Sequence, residues 1–413
     1  MSVQRIDADL LIPGRGAPVR DATVVLDGST ITYAGPRASA PATETAPTVV
    51  RTVMPGLWDC HAHLLGMLST DFSMLVREPD ALRAARGVRQ AADALGAGFT
   101  SIREVGGYGV YLARAIDEGT IPGPTIYGAG AMLSQTGGHG DLHDMPLETV
   151  TELSAHHGPL QLCDGVPECL KAVRLQLRKN ARVIKVHASG GVLSDLDHPV
   201  HQQFSGPELR AIVEEADRAD RVVAAHCHGK PGIMAAIEAG VRTIEHGSFL
   251  DEESAAAMVE NGVILVATRS IVARLLAMLD RLPESTARKA REIADAHLEA
   301  MHLAREAGVA IAAGTDFATA GPGTMVPFGR NGEELGHLVA AGYSPLEAIE
   351  AATAAAPATL GPQAPRSGLL AEGFDADVIA LDVDPLTDVS LLAGPTHVTH
   401  VWKGGRVAKA PVG

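Results

Sequence analysis

The sequence predicts an α/β protein: a (β/α)₈ barrel joined to a small β-sandwich domain that both chain termini build together. Three observations carry this expectation. The middle of the chain alternates short apolar runs with Ala- and Leu-rich amphipathic stretches over about 300 residues, the written form of strands each followed by a helix. Both ends alternate apolar and polar residues in short runs separated by turns. The chain has 413 residues, more than one compact core usually holds, so a large domain plus a smaller one is expected.

Taken in order, residues 1–54 contain DADLLIP, DATVVLDG and TITYAG, each reading as a short strand. DADVIALDVDP and HVTHVWKGGRVAK near the other end have the same character, which places the small domain at 1–54 and 360–413 and the barrel at 55–359. The eight candidate barrel strands are GLWDCHAHL, FTSIREV, PTIYGAG, RVIKVHASGG, VVAAHCHG, RTIEHG, VILVATR and VAIAAGTD. Between them lie helix-like segments such as PDALRAARGVRQAADALGAG, closed by Gly, and SPLEAIEAATAAAPATL.

Composition narrows the function. Hydrophobic residues make up 46 % and charged residues 20 %, as in a soluble enzyme, while aromatic residues are only 3 %. The core must therefore be packed mainly by Ala, Val, Leu and Ile. Lys and Arg number 34 against 49 Asp and Glu, a formal net charge of −15. That balance repels nucleic acid and anionic membrane surfaces, and no basic run reverses it locally. No stretch approaches the ~20 consecutive apolar residues that span a bilayer. The N-terminal residues show no secretory pattern, and Cys60, Cys163, Cys169 and Cys227 have no disulfide-scaffold spacing. A reduced cytoplasmic protein is expected.

The chemistry-bearing residues fall at the C-terminal ends of the candidate strands, where barrel active sites are built. His61 and His63 are two apart on the first strand, so both point to the same side, into the barrel mouth. Lys185 ends the fourth strand, His226 the fifth, His246 the sixth and Asp316 the eighth. Neutral imidazole and carboxylate oxygen suit Zn²⁺. A lone strand-end histidine is commonly a satisfied core group, and Asp316 in GTDF reads equally as a helix cap. Lys185 has no such bland account, because an unpaired lysine inside a barrel is costly.

PGLWDCHAHL, VIKVHASGGVLS, VAAHCHG, TIEHGSFLD and AAGTDF resemble the successive strand-end motifs of the amidohydrolase superfamily. Within it they are most similar to a branch of dipeptidase-like, ochratoxinase-like and imidazolonepropionase-like enzymes, and the resemblance covers essentially the whole chain. It implies two Zn²⁺ per subunit, held by His61, His63, Lys185, His226, His246 and Asp316. The His-x-His pair and the aspartate would hold one metal, the two later histidines the other, with a carboxylated Lys185 between them. A lysine ammonium cannot ligate a cation, whereas a carbamate offers one oxygen to each metal. Two metals can share a hydroxide that is a nucleophile at neutral pH, and Asp316 is placed to take its proton and pass it to the leaving group.

The resemblance also implies that His139, in the loop SQTGGHGDLHD, contacts the substrate near the scissile carbonyl; the alternative is a histidine bonded to Asp141 or Asp144. His228 shares the inward direction of His226, at a position where related dipeptidases often carry a tyrosine that polarises the carbonyl. Here an imidazole would have to serve. His187, two residues beyond Lys185, also faces the site, either touching substrate or supporting a ligand. Arg269, in VATRS, is the best cation for a substrate carboxylate, against a surface salt bridge. Arg103 reads as part of a buried ion pair, and Cys60 and Cys227 as packing residues turned to the helix layer.

These residues point to hydrolysis of an amide bond in a small molecule: a dipeptide, an N-acyl amino acid or an amide-containing toxin. Urea or carbamate hydrolysis is the alternative, and an inactive scaffold the non-enzymatic one. A homo-oligomer is implied by the resemblance. Substrate choice belongs to the loops SQTGGHGDLHD, GVLSDLDHPVHQQFS and GPGTMVPFGRNG.

Overall fold

The computed structural model describes residues 3–155, 158–321 and 323–411, so Pro322 of the loop GPGTMVPFGRNG lies outside the described residues. The N-terminal pattern resolves into β1 (Gln4–Leu11), β2 (Val19–Asp27), β3 (Thr30–Pro36) and β4 (Thr48–Pro55). The middle holds β5 (Leu57–Met67), β6 (Phe99–Glu104), β7 (Thr125–Gly128), β8 (Met132–Ser134), β9 (Leu160–Leu162) and β10 (Val183–His187). It continues with β11 (Val222–Cys227), β12 (Thr243–His246), β13 (Ile264–Val266) and β14 (Phe317–Thr319). The C-terminal strands are β15 (Val378–Leu381), β16 (Val398–Lys403) and β17 (Arg406–Lys409).

Both termini meet in one seven-stranded sheet, ordered β17-β16-β15-β4-β1-β2-β3. β15 lays antiparallel on β4, pairing Val378 with Pro55 and Leu381 with Thr52. Strand alternation divides its side chains between two cores. Val378 and Ala380 join Ile6, Ala8, Val24 and Trp402, while Ile379 and Leu381 join the large core of the barrel region. The pairing runs as one continuous sheet where a sandwich was expected. A bridge from Thr30 to Asp375 links the edge strand β3 to the segment that leads into β15, over the same core.

The middle region forms two parallel ladders, β13-β12-β11-β10-β8-β9 and β14-β5-β6-β7. Two expectations are adjusted. The third strand stops at Gly128 and pairing resumes at β8, with the unforeseen β9 beside it. VAIAAGTD is not a regular strand: it makes one bridge, Leu265 to Ile311, and β14 begins after Asp316. Backbone bonds nevertheless cross both seams. Leu265 N donates to Ala310 O (2.8 Å) and Cys60 N to Ala313 O (2.8 Å), tying β13 to β5 through residues 310–313. On the other side Arg182 N donates to Gly128 O (2.8 Å).

Helices cover these ladders. The segment rich in Ala and Arg is the helix Asp80–Gly96. SPLEAIEAATAAAPATL, read as one helix, is two: Pro345–Ala351, started by a capping box on Ser344, and a 3₁₀ segment Ala356–Gln363 containing Pro357. No described helix is long and apolar enough to cross a membrane. The four cysteines are free and buried, and Cys60 and Cys227 pack into apolar clusters as expected.

Candidate metal centre

Gly56 alone separates β4 from β5, so the terminal sheet runs directly into the strand that carries His61 and His63. β5 is buried along its whole length, and the two histidines stand on one face by alternation. Each is held through Nδ1. His61 Nδ1–H donates to Glu245 Oε2 (2.7 Å) and His63 Nδ1–H to the Gly106 carbonyl (2.8 Å). Both Nε2 atoms then face one carboxylate oxygen, Asp316 Oδ1, at 3.5 Å and 3.1 Å. Lys185 Nζ is 3.5 Å from His61 Nε2.

Around the other side, the ligand atoms of His226, His228 and His246 lie within 4.8 Å of one another, as do those of His61, His246 and Asp316. His246 Nδ1 meets Thr268 Oγ1 (2.7 Å), His228 Nδ1 meets Ser248 Oγ (2.7 Å), and His226 Nε2–H reaches the Gly190 carbonyl (3.2 Å). Strict alternation would put His246 and Glu245 on opposite faces, yet both touch His61. The reason is backbone conformation: His246 has φ 70° and Asp316 φ 60°, left-handed values that swing each strand-end side chain back into the site. Thr268, which holds His246, has φ 57°.

Electrostatics follows burial. Desolvation lowers His61 and His139 to about 4 and His228 to about 3, and holds His187, His226 and His246 well below the usual imidazole range. These rings are neutral at pH 7, the form that ligates metal. Burial alone would raise Asp316, but His61 and His63 outweigh it and bring the carboxyl to about 2. Desolvation lowers Lys185 to about 8.

These groups line one cavity of about 490 Å³. Its apolar lining comes from two clusters: Leu65, Met67, Phe72, Met132 and Leu142 belong to one, and Ile271, Val272, Leu275, Leu282 and Ile293 to the other. His187 lines the cavity with its Nδ1 unpartnered and its ring edge-on to those of His139 and His226. His139 stacks on His226 with centroids 4.4 Å apart. Its Nδ1 is bonded to Ser194 Oγ (2.9 Å), not to Asp141 or Asp144.

Arg269 is not brought into this cavity. It opens the helix Arg269–Leu276, and its Nη1 donates to the Ala294 carbonyl (2.7 Å). Among the described residues the cations lining the cavity are Lys185 and Arg281. Arg103 makes the buried ion pair expected of it, donating from Nη2 to both Glu245 oxygens at 2.7 Å and from Nε to the Cys60 carbonyl.

Glu245 and Asp59 were not singled out from the sequence. Glu245 connects Arg103 to His61, and Arg103 overcomes burial to hold its carboxyl far below the ordinary range. Asp59 accepts from the backbone N–H groups of His61 (3.0 Å) and Thr315 (3.1 Å), from Thr315 Oγ1 (2.6 Å) and from Asn331 Nδ2 (2.7 Å). It thereby fixes the strand of His61 to the segment that carries Asp316. A signal existed for Asp59, which sits two before His61 on the same strand face.

The amidohydrolase family matches residues 52–408. Ochratoxinase from Aspergillus niger is 46 % identical over 98 % of this chain and 86 % of its own length, and its crystal structure superposes with a TM-score of 0.93 over 99 % of this chain and 96 % of that one. A prolidase crystallised with N-methylphosphonate-L-proline is 31 % identical, with a TM-score of 0.89, covering 99 % of this chain and 100 % of that one. The imidazolonepropionase of Nocardia farcinica is 25 % identical over 95 % of this chain and 93 % of its own length.

Proposed function

The chain belongs to the amidohydrolase family and is a hydrolase of amide bonds; from that premise we propose that it cleaves a small-molecule amide at a two-zinc site. The substrate class is a dipeptide, an N-acyl amino acid or an amide-containing toxin. One observation carries the reading: two donor groups, His61/His63/Asp316 and His226/His246, converge in one cavity with the buried Lys185 Nζ beside His61 Nε2. The donor set fits zinc. Hydrogen bonds occupy Nδ1 of His61, His63 and His246 and Nε2 of His226, which fixes each ring and leaves its other nitrogen for the metal. Lys185 fits as the bridging ligand once carboxylated, since its ammonium would only repel a cation. Zinc bound there supplies a Lewis acid and lowers the pKa of water.

The chain's own residues supply the rest. Asp316 takes a proton from water and passes it to the leaving nitrogen. His228 donates to the carbonyl oxygen as charge develops on it. His139 borders the bound amide, and His187, edge-on to His139 and His226, lines the same cavity. The two apolar clusters in the lining favour substrates with apolar groups, and Arg281 replaces Arg269 as the cation for a substrate carboxylate. The backbone bonds across both seams support a closed (β/α)₈ barrel, at residues 55–359, with the terminal segments as a second domain. A cytoplasmic homo-oligomer completes the proposal. Two experiments test it: zinc counted per subunit, and a screen of dipeptides, N-acyl amino acids and aryl ureas on zinc-loaded protein. Near two zinc and turnover of an apolar amide are expected. Preference for ureas or carbamates would favour the alternative that His228, in the place of a tyrosine, raises. Absence of zinc and of all turnover would leave only a scaffold.

A further inference from the structure

His139 is held by a buried network from a different part of the chain. Its ring Nδ1 is 2.9 Å from Ser194 Oγ, and Ser194 donates to Asp197 Oδ1. Asp197 Oδ2 accepts from Gly191 N (2.9 Å) and Gln203 Nε2 (3.1 Å), and Gln203 Oε1 accepts the main-chain N–H of His139 (2.9 Å). Lys289, reaching in from the helix Glu284–Ala307, donates to the carbonyls of Ser194 (2.7 Å) and Gly191 (3.1 Å) and lies 3.6 Å from Asp197. Gly191 has no side chain because the imidazole of His139 occupies that space: a Cβ there would sit 2.1 Å from Cε1.

A hydroxyl has one hydrogen. Besides the ring, Ser194 Oγ faces the Asp197 carboxylate and the Gly191 carbonyl (3.3 Å), and both can only accept that hydrogen. Towards His139 the serine oxygen can therefore only accept, so Nδ1 carries the proton. The neutral ring then presents a bare Nε2, an acceptor for a substrate N–H rather than a donor to its carbonyl. We propose that Ser194 and Asp197 are positioning residues that act through His139, locking its ring and its Nδ1–H tautomer so that Nε2 accepts an N–H of the bound amide. This rests on the amide-hydrolase reading above. It moves the task of donating to the carbonyl onto His228.

The test compares Ser194→Ala, Ser194→Thr, Asp197→Asn and His139→Ala, with the Ser194→Ala/His139→Ala double variant, all zinc-loaded with metal content measured. Ser194→Ala should lower kcat about 10–100-fold with a smaller change in KM, and Ser194→Thr, which keeps the hydroxyl, should restore most of it. In the His139→Ala background Ser194→Ala should cost nothing further. A loss of the same size in both backgrounds, or Ser194→Ala within about twofold of wild type, overturns the proposal. Ring ¹⁵N shifts give a readout independent of turnover. They should show Nδ1–H at His139 in the wild type. In Asp197→Asn, whose amide can donate to Ser194, the ring should shift toward Nε2–H. A wild-type ring protonated only at Nε2 also overturns it. Failure of every amide substrate with the Nδ1–H tautomer intact would instead sink the functional reading.

Discussion

At the scale of single residues, Lys185 and His228 separate the proposed chemistry from simple packing. Lys185 is 1 % exposed, and no carboxylate lies within ion-pair distance of its Nζ among the described residues. If it bridges two metals, mass spectrometry of zinc-loaded protein should find an added CO₂ on this side chain. Lys185→Ala should lose at least one zinc and most turnover, with partial rescue by bicarbonate or a short carboxylic acid. An unmodified lysine in protein holding two zincs would refute the bridge. His228 sits just past β11, its ring stacked on that of His246 at 4.9 Å. Removing a donor to a developing oxyanion costs about 10²–10³ in turnover. His228→Ala should therefore depress kcat by that order, change KM less and leave zinc content unchanged. A change in KM alone would make His228 a substrate-positioning residue. A loss of zinc would make it a ligand, as its place beside His226 and His246 also allows.

At the scale of elements, the links between strands set the site more than any one strand does. Glu245 on β12 ties Arg103 on β6 to His61 on β5, and all three are buried. Breaking a buried pair by neutralising one partner costs about 3–5 kcal/mol, because the other charge is left uncompensated. Glu245→Gln should lower thermal stability by that order in calorimetry. It should also weaken zinc binding, because His61 Nδ1–H loses its charged acceptor. Unchanged melting and zinc affinity would show that the pair is incidental. The left-handed turns at His246 and Asp316 are also properties of elements. They end β12 and precede β14, and they could not be read from alternation, which places His246 on the wrong face.

At the scale of the whole molecule, the concentration of buried imidazole makes the metal-free protein sensitive to acid. His61 and His139 are lowered to about 4 and His228 to about 3, against an ordinary value near 6.5. In the unfolded chain these groups bind protons below about pH 6.5 that the folded chain refuses until about pH 4, so folding stability falls as pH drops through that window. Each fully buried group contributes on the order of 1.4 kcal/mol per pH unit there. Metal-stripped protein should lose melting temperature steeply between about pH 6.5 and 4, and zinc should stabilise it most at neutral pH. A flat profile would mean that the rings are already charged in the folded state. The strand–helix alternation and the paired termini were legible in the sequence, because strand period is a local property of the chain. The six proposed ligand positions rested on strand-end placement and the family resemblance together, and the structure brings them to one cavity. The roles of Asp59, Glu245, Ser194, Asp197 and Lys289 were not legible there. Nor was the departure of Arg269 from the cavity, or the split of the third and eighth strands. Each of these depends on which distant segment lies opposite, and only the packed tertiary structure decides that: a buried polar group must find its partner wherever the fold supplies one.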